Sequence, residues 1–71
     1  MDYDRNQLLE GFAYLDRLRA SGITNMFGAP AYMERELGYE KTEAVNVWGK
    51  WCDTFSEDSV EDRVNKVMEE A

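Results

Sequence analysis

From Asp4 to Ala20, the apolar residues Leu8, Leu9, Phe12, Leu15 and Leu18 recur at spacings of three and four with polar residues between them. That period gathers them on one stripe of an amphipathic helix. Gly22 follows as the residue that tolerates a left-handed helix end. Ile23 to Gly28 mixes turn formers with two large apolar side chains, and predicts an ordered connection. In it Met26 and Phe27 plug the core, Gly28 permits close approach, and Asn25 tolerates a left-handed backbone. Pro30 then precedes Tyr32, Met33 and Leu37, the pattern of a short helix with proline in its first turn and Gly38 just past its last.

Thr42 to Phe55 carries the broadest apolar stripe: Ala44, Val47, Trp48, Trp51, Cys52 and Phe55. It is the candidate for the central buried helix. Ser56-Glu57-Asp58-Ser59 interrupts the pattern and supplies N-caps, with Asp58 three residues before Glu61. Val60, Val64, Val67 and Met68 form the seam of a last helix with a charged outer face. No repeat and no alternating run of strand length interrupts these segments. The prediction is an all-α compact bundle of about four helices, one domain over residues 1–71, with a helix-turn-helix-like centre.

Length limits what such a bundle can do. A 71-residue chain buries only about 60% of the surface its unfolded form exposes, so stability is modest and a partner or second copy would help. Nine aromatic residues still favour a folded core over disorder. No apolar run approaches the roughly 20 residues that span a bilayer, and the start Met1-Asp2-Tyr3-Asp4 is acidic where a signal peptide is basic. Together with a single cysteine, Cys52, this places the chain in a reducing cytoplasm, without a disulfide framework.

Charge changes the picture most. The net charge is −7, with six acids against four bases in residues 1–38 and nine against four in residues 39–71. Such a field repels nucleic acid and anionic lipid and steers encounters toward basic protein surfaces, besides keeping the chain soluble. Residues 51–62 concentrate it: Asp53, Glu57, Asp58, Glu61 and Asp62 occur there without one base. They read either as a contact surface that imitates phosphates toward a basic groove, or as a solvated corner whose acids complement the dipole of the last helix.

The chemistry of bond-making is missing. Histidine is absent, and so are a G-x-S-x-G elbow and a Gly-rich phosphate loop, so the usual nucleophile and base pairs cannot be assembled. No enzyme activity, metal or cofactor is expected. The acidic run lacks the glycine and alternate spacing of a calcium loop. Cys52, on the inner stripe, reads as a small buried hydrophobe. Among the aromatics, Phe27, Tyr39, Trp48 and Trp51 are further interface candidates beside structural roles for Phe27, Trp48 and Trp51; Trp51, with Phe55 one turn on, reads as core, whereas Tyr32 and Tyr39, near the turn, are the candidates for exposed anchors. The segment around Gly38 has helix-turn-helix spacing, yet its second helix would open Glu40-Lys41-Thr42-Glu43 and present carboxylates to a polyanion.

Tyr14-Leu15, Leu18-Arg19, Ser21-Gly22 and the run Thr24-Asn25-Met26-Phe27-Gly28-Ala29, continued by Tyr32, Gly38, Glu43-Ala44, Val47 and Trp51, resemble a group of small bacteriophage and prophage proteins of unassigned function. Those proteins share a T-N-M-F-G-A segment. The resemblance covers about residues 14–51, and Leu37 and Trp48 depart from it, which implies a repacked core. It implies a phage origin and a compact helical domain, with no activity to transfer; that context and the acidic charge together lead to the expectation of a protein that binds a host protein with a basic surface, for instance a nucleic-acid-binding defence or regulatory protein, and inhibits or modulates it. A DNA-associated regulator and a self-associating assembly factor, such as a homodimer, are the alternatives.

Overall fold

The computed structural model describes residues 4–23 and 25–70, the side chains of Met26 and Glu70 excepted. Four helices follow in order: α1 (Arg5–Ser21), α2 (Ala29–Leu37), α3 (Lys41–Asp53) and α4 (Val60–Glu70), with a 3-10 turn at Met26–Gly28 leading into α2. The all-α architecture is the one the periodicity predicts.

Local chemistry sets the boundaries. Asp4 caps α1 by accepting hydrogen bonds from the backbone N–H of Asn6 (2.8 Å) and Gln7 (3.4 Å). Gly22 and Gly38 close α1 and α2 at φ 68° and 72°, where a side chain would be strained. Before α2, the Asn25 side chain accepts from the Gly28 N–H at 3.2 Å. No described residue other than glycine has a positive φ, so Asn25 turns the chain by this hydrogen bond and without a left-handed backbone. Gly28 itself is right-handed, at φ −86°. The Glu40 N–H donates to Glu43 Oε1 at 3.0 Å, and α3 thereby starts one residue before Thr42 and ends at Asp53, two before Phe55. For α4 the cap is Ser59, whose Oγ accepts from the Asp62 N–H at 3.1 Å, one residue later than the Asp58–Glu61 spacing suggests.

The hub of the bundle is α1, which packs against α2, α3 and α4; α2 also packs against α3. This corrects the expectation that α3 is the central helix. The reason lies in residue size: α1 contributes Leu8, Phe12 and Leu15 at zero exposure, and its Gly11 lets α3 come so close that an added Cβ would lie 2.6 Å from Val47 Cγ1. Met33, Ala44, Val47, Trp51, Val64 and Val67 complete the core.

Four side-chain placements differ from the sequence reading. Tyr39 is buried, because its hydroxyl donates to the Gln7 carbonyl at 2.8 Å and pins the α2–α3 turn to α1. Phe27 is 87% exposed, so it does not plug the core. The expectation for the Met26 side chain lies outside the described residues, as does Thr24. Cys52 is exposed and Phe55 is 45% exposed. The α3 stripe that faces α1 is the narrow one of Ala44, Val47 and Trp51, and Cys52 falls just past its edge. Among the described residues, no helix is long and apolar enough to cross a membrane.

Candidate partner-binding surface

The five acids of residues 51–62 are brought together and exposed: Asp53 ends α3, Glu57 and Asp58 occupy the connection, and Glu61 and Asp62 form the first turn of α4. The connection is shaped by its own polar groups. Thr54 Oγ1 donates to the Lys50 carbonyl at 2.7 Å, and Ser56 Oγ accepts from the Asp58 N–H at 3.2 Å. Below it lies Arg63, 4% exposed, a residue the sequence reading did not single out. Its Nη1 and Nη2 donate to Asp16 Oδ1 and Oδ2 at 3.2 and 2.6 Å, and its Nε donates to the Asp58 carbonyl at 3.1 Å.

Trp51 Nε1 donates to Asp16 Oδ1 at 2.9 Å, so one carboxylate of α1 gathers donors from α3 and α4. Burial pushes the Asp16 carboxyl up, but the hydrogen bonds from Arg63 and Trp51, with the charges of Arg63 and Arg19, outweigh it and hold the group below the usual carboxylate range. Both partners were visible as anomalies. Asp16 continues the Leu8–Phe12 row of α1, and Arg63 stands among Val60, Val64 and Val67, so each is a charge on an apolar stripe.

The consequence is electrostatic. The most buried cation near the corner spends its donors on Asp16 and on a backbone carbonyl, leaving the carboxylates of the corner to the solvent. Arg5 reaches Glu61 at 3.7 Å with both side chains well exposed, a contact of little weight in water. Arg19 lies with its Cζ 4.7 Å from the centroid of the Phe55 ring. A cleft of about 200 Å³ opens between Phe55, Glu57, Asp58 and the Asp16–Arg63 pair.

The aromatic candidates belong to other contacts. Tyr32 is half-buried on α2 and lies under the Arg35 guanidinium at 4.9 Å, and Tyr39 is fixed to α1 as above. Trp48 is half-buried, with Phe27 tilted against it at 6.3 Å. Trp51 is core. Partial burial and the neighbouring Asp53 push the Cys52 thiol up, which makes it a weak nucleophile at neutral pH. Among the described residues, no three of His, Cys, Asp and Glu converge so that they could hold a metal ion.

Fold and surface together define a small all-α globule of four helices with an acidic edge. Set against protein-family models, curated proteins and solved structures, the chain matches none.

Proposed function

We propose that this chain is an acidic protein-interaction module, of the kind phages direct at a host protein with a basic surface, and that its contact surface is the α3–α4 corner. The observation that carries the reading is the inward turn of Arg63: Asp53, Glu57, Asp58, Glu61 and Asp62 stay exposed while the guanidinium beneath them is engaged by Asp16. A local excess of charge of one sign raises encounter rates with basic surfaces and rejects polyanions. The phage origin expected from the Thr24–Ala29 run is part of this proposal and makes a host protein the target.

The test is affinity capture from a candidate host, with mass spectrometry, using the wild-type chain and a variant carrying Glu57→Lys, Asp58→Lys, Glu61→Lys and Asp62→Lys. The captured protein should have a basic surface and should be lost from the variant while the helical circular dichroism is unchanged. Undiminished capture by a folded variant removes the corner from the account. The exposed Phe27 beside Trp48 favours a second reading, self-association through that side, which sedimentation over a concentration series decides.

A further inference from the structure

The cleft at the corner is more than a group of acids, because the chain already places a guanidinium in it. Phe55 is 45% exposed, is backed by Trp51 at 5.0 Å, and carries Arg19 with its Cζ 4.7 Å from the ring centroid. Arg63 approaches the same ring at 5.8 Å. A planar cation over an aromatic face is attracted by the ring quadrupole, and arginine gains more from this than lysine because it also stacks. Arg19 is an exposed residue near the end of α1, held at the ring by this contact and by the charge of Asp16.

We propose that Arg19 is an internal stand-in, and that the cleft takes an arginine side chain from a basic partner protein, which displaces Arg19 from Phe55. The inference rests on the proposed function and narrows it to one kind of contact. About 200 Å³ of space equals roughly six or seven water molecules at about 30 Å³ each, enough for a guanidinium and its last methylenes. The lining charges are Asp16, Glu57 and Asp58 against Arg19 and Arg63, a net −1 that becomes −2 once Arg19 leaves. Asp16 has accepting capacity left: two of its hydrogen bonds fall on Oδ1 and one on Oδ2, and its side chain is 34% exposed. The incoming group therefore finds a π face, one oriented carboxylate and two exposed ones. Lysine finds the same charge without the stacking.

Hexa-arginine and hexa-lysine peptides, titrated at equal ionic strength, test this. The wild-type chain should prefer hexa-arginine by roughly two- to five-fold, the range of an exposed cation–π contact. Phe55→Leu should abolish the preference and leave hexa-lysine binding unchanged. Arg19→Lys, which keeps the charge and removes the competing stack, should tighten hexa-arginine and not hexa-lysine. Equal affinity for the two peptides, or a preference that survives Phe55→Leu, overturns the inference. If both peptides then still fail to bind the four-fold charge-reversal variant, the acidic corner stands as the contact surface and only the arginine subsite is lost.

Discussion

Two glycines inside helices show how far a single residue decides stability here. At Gly11 an added Cβ would meet Val47 Cγ1 at 2.6 Å, and Val47 is 1% exposed, β-branched and unable to move aside. At Gly49 nothing lies within 4 Å of the added atom. Gly11→Ala should therefore destabilise by about 1–3 kcal/mol through overpacking, despite the better helix propensity of alanine. Gly49→Ala should stabilise by roughly 0.5–1 kcal/mol. Urea unfolding of the two variants checks both signs, and a neutral Gly11→Ala would mean that α1 and α3 do not cross this closely. Nothing in the sequence separates these two glycines, since each simply interrupts a helical pattern. Burial at this scale is legible only where period and size agree, as for Phe12 and Trp51; Tyr39 is buried because one hydrogen bond, to the Gln7 carbonyl, outweighs position relative to a turn, and Phe27 lies exposed against Trp48 despite its size.

At the scale of elements, the periodicity yields all four helices to within two residues at each end, and what it misses is how α4 is held to the rest. The four valine and methionine positions of α4 suggest a purely apolar seam, but beside buried Val64 and Val67 the joint to α1 includes the Asp16–Arg63 pair, with Trp51 of α3 as third member. A charge on an apolar stripe reads as noise until its partner is found on another helix, and the pairing spans 47 residues. Asp16→Asn should cost about 1–3 kcal/mol near neutral pH, toward the lower end because the side chain is a third exposed. The folded pKa of Asp16 is lowered, so the stabilisation is present above the unfolded value near 4 and is lost as pH falls through the folded value. Urea midpoints of wild type and Asp16→Asn should thus differ at pH 7 and converge below pH 4. A gap that stays constant over that range would show that the carboxylate charge is not what ties α1 to α4.

For the molecule as a whole, the acidic corner was legible as composition, but whether it is compensated depends on where Arg63 points, and that is set by α1 and not by neighbours in sequence. Its inward turn makes a thermodynamic statement that needs no partner. In a chain of net charge −7, exposed carboxylates that outnumber the cations beside them repel one another, and removing charge should relieve the folded state. Glu57 and Asp58 are the residues to change, since they precede α4 and do not belong to its first turn, where Glu61 and Asp62 gain from the helix dipole. The double variant Glu57→Gln, Asp58→Asn should melt at the same or a higher temperature than wild type at low salt. The difference should vanish toward 1 M salt, where the Debye length falls to about 3 Å. A surface kept acidic for binding is one whose charges the fold does not need, so stability should rise as capture of a basic partner falls. A drop in melting temperature at low salt would mean that these carboxylates are paired within the chain, and an acidic contact surface would then have no physical basis.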